Sequence, residues 1–191
     1  MTVSSDQLTF LRLTPFADVS SFRCCEDPDL EDFLKDDSKK YDQERITTTY
    51  LGYKDGQLVS FFSLAMGCVT SESVRGMMGE IRYAPKKYPA LLIARMATKD
   101  GHRGDGIGKI MLAHVISIAL KLCPLVGCRF IKVDAKNNEK TPHFYATYGN
   151  FQRITENADT VQMIVDINRL SSTDTTVESH LGDFPDPLYF Q

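Results

Sequence analysis

The stretch from Leu91 to Cys123, LLIARMATKDGHRGDGIGKIMLAHVISIALKLC, most restricts what this chain can fold into. It opens as an apolar strand, Leu91 to Ala97, and turns through Lys99-Asp100-Gly101-His102. It then passes Arg103-Gly104-Asp105-Gly106-Ile107-Gly108 and continues as a long apolar helix. Strand, glycine-rich turn and helix, in that order, make an anion site. Free N–H groups at a helix start and the positive end of its dipole suit a phosphate. Glycines let the backbone approach closely and adopt positive φ. A Walker A loop is excluded, because Arg103 stands where its first glycine belongs and Ile110 follows Lys109. A dinucleotide fingerprint is excluded too, because Lys109 stands at its third glycine. The bland reading is a tight strand–helix turn without a ligand.

The chain has 191 residues, 42% of them hydrophobic, which suits one domain over residues 1–170 with an acidic polar tail over 171–191. The start, Met1-Thr2-Val3-Ser4-Ser5-Asp6, lacks the basic and apolar runs of a leader. The longest apolar stretch, Leu58 to Val69, is too short to span a bilayer. Five cysteines (Cys24, Cys25, Cys68, Cys123, Cys128) with no Cys-x-x-Cys point to reduced, mostly buried thiols in a cytoplasmic protein rather than a zinc site or disulfide framework. Net charge is −3, but Arg75 to Lys140 carries 13 Lys/Arg against 5 Asp/Glu, so the remainder is strongly acidic. A basic middle suits a polyanionic cofactor or a nucleic-acid substrate, or is simply a set of solvated side chains. The acidic total argues against a protein that only coats nucleic acid.

Alternation over Leu8–Leu13 predicts a first strand. A loop then leads into a helix, with Asp27 at the N-cap, Pro28 in the first turn and Leu30, Phe33 and Leu34 as its apolar stripe. Glu26, Asp29, Glu31 and Asp32 read as a solvated helix start rather than a metal cluster. Ile46–Tyr53 and Gln57–Val69 are strands joined by a hairpin turn at Lys54-Asp55-Gly56. Ser71 to Tyr88 reads as an irregular excursion that lines a substrate site or packs Met77, Met78 and Tyr83 as core. Arg129–Ala135 is a strand, Glu139–Tyr148 a short helix, and Phe151–Thr155 and Val161–Ile167 are the last strands. Strands on both sides of a central βα crossover imply a mixed α/β sheet, parallel around Leu91–Ala97 and Arg129–Ala135. The last four residues, Leu188-Tyr189-Phe190-Gln191, look like a remnant of tag removal and are left out of the functional reading.

Arg103-x-x-Gly106-x-Gly108 resembles the acyl-CoA pyrophosphate loop of the GNAT N-acetyltransferases. Two further segments carry the resemblance. One is the strand ending Val133-Asp134-Ala135-Lys136-Asn137; the other is Phe144-Tyr145-Ala146-Thr147-Tyr148-Gly149-Asn150-Phe151, similar to the family's Phe-Tyr-x-x-x-Gly-Phe with Asn150 inserted. It covers about residues 7 to 168. The resemblance implies a GNAT fold, α/β, with a mixed, mostly antiparallel sheet splayed at its central strand and flanked by helices. It implies acetyl-CoA as cosubstrate, no metal, and acetyl transfer to a primary amine.

The resemblance also distributes roles. Backbone around Met96, Ala97 and Thr98 would polarise the thioester carbonyl and bind the pantetheine arm. Arg103, Gly104, Asp105, Gly106, Ile107, Gly108 and Lys109 would hold the pyrophosphate. Asn137 would line the cofactor cleft, and Tyr145 would be the general acid for the leaving thiolate; an ordinary buried tyrosine is its plain alternative. A lysine acceptor with pKa ~10.4 demands a well-placed base, whereas an α-amine near ~8 is neutral in roughly one molecule in ten at pH 7. Glu80 and Asp134 are candidates for that base by sequence proximity alone, with a structural role the better reading. His102 and His114 receive no catalytic role.

A narrower likeness lies in Phe22–Leu34 and Leu58–Ala65, which look like the GNAT branch of toxins that acetylate aminoacyl-tRNA and are neutralised by ribbon-helix-helix antitoxins. The acceptor is therefore a small-molecule amine, a protein amino group or, alternatively, aminoacyl-tRNA with an antitoxin as partner; a homodimer is compatible with each. The rival of another class is a GNAT-fold module that binds CoA or a partner without turnover.

Overall fold

The structure is a computed structural model that describes residues 8–77 and 85–170. Met78, Glu80, Tyr83 and the tail from Ser171 lie outside the described residues. Seven strands form one sheet in the order β1-β2-β3-β4-β5-β7-β6. These are β1 (Leu8–Arg12), β2 (Thr48–Lys54), β3 (Gln57–Thr70), β4 (Lys87–Thr98), β5 (Phe130–Lys136), β6 (Gln152–Glu156) and β7 (Thr160–Asp166). Every neighbouring pair is antiparallel except β4 with β5. That is the expected mixed, mostly antiparallel sheet, with its parallel step at the central crossover.

Helices cover both faces. On one lie α4 (Ile107–Leu122) and α5 (Lys140–Gly149). The apolar stripe Ile107, Met111, Leu112, Val115, Ile116 and Ala119 of α4 has helical spacing and is buried against Val59, Phe62, Leu91, Ile131 and Met163. On the other face, α1 (Pro28–Asp32), a π-helical turn (Phe33–Asp37) and α2 (Ser38–Gln43) bury Phe33 and Leu34 with Leu51, Phe61 and Ala97. Because both faces of β3 are covered, Leu58 to Leu64 is an unbroken buried run rather than an alternation. At the β2–β3 hairpin, Asp55 and Gly56 both take positive φ (50° and 75°), the tight turn that Lys54-Asp55-Gly56 predicts.

The described residues of the excursion expected over Ser71–Tyr88 hold regular structure at both of its ends. Thr70 accepts a hydrogen bond from the Ser73 amide at 3.3 Å and so caps α3 (Ser71–Val74), and β4 already begins at Lys87. Val74 of α3 joins Val69, Tyr88, Ala90, Phe130 and Ile164 in a third cluster on the α1–α2 face. The chain closes on α6 (Ile167–Leu170). Among the described residues no helix is long and apolar enough to cross a membrane. Cys24 and Cys128 are buried and Cys123 is half-buried, but Cys25 and Cys68 are exposed, so the thiols are less sheltered than their number and spacing suggest.

Candidate active site

Strand β4 is shared unequally by its neighbours. Against β3 it stays paired from Lys87 to Thr98, with Ala94 skipped between Ile93↔Leu64 and Arg95↔Ser63. An extra residue of this kind bends a strand and increases its twist. Against β5 the parallel ladder holds over Ala90–Ile93 and Phe130–Val133 and then stops. Beyond that point β5 keeps β7 as partner through Lys136↔Thr160, so β4 and β5 part company while each retains its outer neighbour. The edge of β4 from Ala94 to Thr98 that faces β5 is left without a strand partner. This is the splay that the resemblance implied.

Two adjoining hollows lie along that opening. The one at the splay, about 370 Å³, is lined by Cys24, Leu30, Met96, Ala97, Met111 and Tyr145 among others. Its neighbour, about 360 Å³, is lined by His102, Gly104, Gly106, Ile107, Lys109 and Tyr148. Thr98, Arg103, Gly108 and Phe144 border both, so they form one furrow from the glycine loop to the splayed strands. The loop takes its shape from Gly101, Gly104 and Gly106, with φ of 81°, 86° and 87°. Gly106 sits immediately before α4 in the left-handed region, and the first residues of that helix, Ile107, Gly108 and Lys109, line the furrow with it. A Cβ on Gly108 would stand 3.2 Å from the Phe144 ring, so α4 and α5 approach closely at the furrow floor.

Charge along the furrow comes from side chains far apart in sequence. Arg103 reaches the N-terminal segment: it pairs with Glu26, donates to Cys24 Sγ at 3.2 Å, and holds Nε 3.6 Å from Asp100 Oδ1. Asp100 in turn accepts from the Cys25 amide at 2.9 Å; that bond, then the Cys25 thiol, hold its carboxyl below the usual range. Lys136, at the end of β5, donates to Asp27 at 2.7 Å. Asp27 precedes α1 but makes no side-chain cap, because its carboxylate is given to Lys136 instead. The segment Arg23–Asp27 thus bridges the two arms of the splay. Burial raises the Cys24 thiol pKa, partly offset by Arg103. Lys109 Nζ lies 4.1 Å over the Tyr148 ring.

Tyr145 projects from α5 with 5% exposure, its ring 5.2 Å from Phe144 and 5.4 Å from Phe151. Burial pushes its pKa well up, which keeps the phenol protonated at neutral pH. The turn at the inserted residue is made by Asn150 itself. It takes φ 54° as the left-handed terminus of α5, and the Phe151 amide then returns to the Tyr145 carbonyl at 3.2 Å.

Met96, Ala97, Thr98, Arg103, Gly104, Gly106, Ile107, Gly108, Lys109 and Tyr145 all border the furrow. Two expected residues do not. The Asn137 side chain turns to the β6–β7 connection, donating to the Asn157 carbonyl at 2.7 Å, and Asn138 lines the furrow in its place. Asn138 also accepts from the Thr141 amide at 2.7 Å at the start of α5. Asp105 faces His102, with its carboxylate 3.6 Å from Nδ1. His114 packs among Phe10, Tyr50 and Phe62, away from the furrow.

Sequence reasoning missed Cys24, Glu26, Asp27, Leu30, Lys136, Lys140 and Phe144 as lining residues. An acidic segment beside a basic middle was the available signal for the first group. Among the described residues no group of three or more His, Cys, Asp or Glu side chains could hold a metal ion. A long furrow with helix-start amides and basic side chains at one end and an unpaired strand edge at the other fits acetyl-CoA, whose phosphates and pantetheine amides need those two surfaces.

Known proteins agree with this geometry. The chain is 28% identical over 128 residues to a tRNA-acetylating toxin of Mycobacterium tuberculosis, covering 67% of this chain and 75% of that one. Its fold is shared by a Tyr-to-Phe mutant of KacT, with TM-score 0.72, 23% identity, and 86% and 98% of the two chains covered. AtaT complexed with acetyl-methionyl-tRNAfMet superposes with TM-score 0.71 at 22% identity, covering 86% and 97%. The profile described as Acetyltransferase (GNAT) family matches residues 17–149. That span runs from the Arg23–Asp27 bridge through the glycine loop to Tyr145, and the chain belongs to the GNAT family as an N-acetyltransferase that uses acetyl-CoA.

Proposed function

We propose that this chain transfers the acetyl group of acetyl-CoA to the α-amino group of an aminoacyl-tRNA. The observation that carries the reading is the furrow: an anion-binding loop leads to the opened edge of β4, with the Tyr145 side chain on its wall. Pyrophosphate would lie on the amides of the Arg103–Lys109 loop, and pantetheine would take the place of the missing strand beside Ala94–Thr98. Amides on that edge would stabilise the oxyanion as the amine nitrogen attacks the thioester carbon. The C–N bond forms, the C–S bond breaks, and the Tyr145 hydroxyl supplies the proton that the CoA thiolate takes up. The proton lost by the attacking nitrogen goes to water, from which Tyr145 is reprotonated.

The acceptor is chosen on three grounds. Arg75 to Lys140 carries 13 Lys/Arg against 5 Asp/Glu, a basic tract suited to a phosphate backbone. The carboxylates that line the furrow with Tyr145, Glu26 and Asp27, are paired with Arg103 and Lys136 and so are poor bases, and an α-amine near ~8 needs one far less than a lysine does. A curated relative is a tRNA-acetylating toxin, and AtaT has been solved with acetyl-methionyl-tRNAfMet. AtaT has also been solved with the C-terminus of its antitoxin AtaR, so a neutralising protein partner belongs to the same reading.

The test is acetyl transfer from acetyl-CoA to charged tRNA beside polyamines, amino acids and peptides, comparing wild type with Tyr145→Phe. Transfer to charged tRNA that collapses in the variant is expected. Transfer to small amines or peptides alone would replace the acceptor. Tight CoA binding with no transfer at all would favour the non-catalytic module.

A further inference from the structure

The opened strands have two faces, and the helical core fills one of them. On β5, Ile131, Val133 and Ala135 point into the cluster beneath α4 and α5, so Lys132, Asp134 and Lys136 lie on the other face. Asp134 is the first residue of β5 beyond the last pair with β4, which puts it at the apex of the splay. Gln162, directly across on β7, donates from Nε2 to its Oδ1 at 3.0 Å, and Lys132 Nζ lies 3.5 Å from its Oδ2. The Lys132 side chain is 16% exposed and that of Asp134 43%. The carboxylate is therefore oriented from the sheet and open toward solvent. Ionised, it has about four lone-pair sites, and two partners leave others free.

The direction of the cofactor makes this position matter. With pyrophosphate on the loop that follows β4, pantetheine runs back along the opened edge toward Ala94, so the thioester ends at the apex. Met111 and Tyr145 wall the cleft on the α4–α5 side, so an amine must come from the opposite face. Arg95, on the stretch of β4 unpaired with β5, holds its guanidinium 5.2 Å over the Phe33 ring and adds positive charge on that side of the sheet. Resting on the acyl-transfer reading above, we propose that Asp134 binds the ammonium of the acceptor at the splay apex, with Gln162 and Lys132 as its positioning residues. An acceptor carrying an ammonium close to phosphodiesters matches one carboxylate flanked by Arg95, Lys132 and Lys136. The ammonium loses its proton to water before the nitrogen attacks.

The experiment compares wild type, Asp134→Asn and Asp134→Glu on every amine that the wild type acetylates. Asp134→Asn is expected to raise the acceptor KM about tenfold, as for a charge-assisted hydrogen bond at a partly exposed site. The acetyl-CoA Kd, measured by calorimetry, stays unchanged, and Asp134→Glu recovers part of the loss. Binding of N-acetylmethionyl-tRNA, which has no ammonium, is expected to be equal in wild type and Asp134→Asn. An unchanged acceptor KM would overturn the assignment. So would a KM change accompanied by equal losses in acetyl-CoA affinity, unfolding midpoint or binding of the acetylated tRNA, because a structural role moves all of these. If only small amines are acetylated, the tRNA reading fails while Asp134 is judged on those amines. If nothing is acetylated, methionyl-tRNA and its N-acetyl form binding wild type equally would overturn it.

Discussion

Glu26 is paired with Arg103 across 77 residues of chain, so a carboxylate already occupies the guanidinium nearest the glycine loop. On the proposed reading acetyl-CoA would bring its pyrophosphate to the same place, and the two anions would compete. Glu26→Gln should therefore tighten acetyl-CoA binding by about two- to fivefold, the scale of an exposed ion pair. The gain should shrink as salt is raised. Calorimetric titration at two ionic strengths checks both. Weaker binding in the variant would mean that Glu26 holds Arg103 ready for the cofactor rather than away from it.

Tyr145→Phe removes a hydroxyl for which no hydrogen-bond partner is seen among the described residues, while the ring keeps its contacts with Phe144 and Phe151. The expected result is a loss of about 10²–10⁴ in kcat, the range for a proton-transferring side chain. Acetyl-CoA affinity should be preserved and stability should change by less than about 1 kcal/mol. Because burial raises the phenol pKa, Tyr145 stays protonated through alkaline pH. The kcat profile should accordingly show no falling limb below about pH 10 from this group. A limb near neutrality that vanishes in Tyr145→Phe would contradict the environment described for it.

Asn150 holds the left-handed terminus of α5 at φ 54°. Asn150→Ala should lose about 1 kcal/mol, because a Cβ without a compensating side-chain polar group is strained there. Asn150→Gly should be neutral or slightly stabilising. Urea unfolding of the two variants separates this strain from any direct effect at Tyr145, whose carbonyl receives the returning Phe151 amide.

The Arg23–Asp27 bridge should loosen in acid. The Lys35 ammonium first, and then the Cys24 amide at 2.8 Å, hold the Glu31 carboxyl below its ordinary 4.5. A group whose pKa is lowered by folding stabilises above its unfolded value, and that contribution is lost as pH falls through the folded one. Unfolding midpoints measured from pH 6 down to 3 should drop for wild type from about 4.5 downward. The drop should be shallower for Glu31→Gln, which is less stable at pH 6 to begin with.

Much of this was legible because it is local. Gly101 to Gly108 encodes its own turn, Asp55-Gly56 encodes the hairpin, and the stripe from Ile107 to Ala119 encodes a helix and its buried face. What was hidden depends on distant partners. Glu26 and Asp27 look like helix-start acids until β4 and β5 bring Arg103 and Lys136 beside them. The exchange of Asn137 for Asn138 is a one-residue matter at a strand end, where side chains alternate between faces and the pattern alone cannot say which turns inward. Thr70 capping α3 was obscured by the glycines and prolines that follow it.

The parting of β4 from β5 has a mechanical side. Strands β1 to β4 form one plate and β5, β7 and β6 another, joined along the sheet by four residue pairs from Ala90↔Phe130 to Ile93↔Val133. Opposite that joint, α4 and α5 lie against both plates. A cosubstrate threaded between the plates would act as a temporary splice, lengthening the seam on one side. Backbone amides on the open edge from Ala94 to Thr98 should then exchange with solvent readily in the free protein and slow sharply with acetyl-CoA bound. The two plates would stiffen against each other once per turnover and relax when CoA leaves.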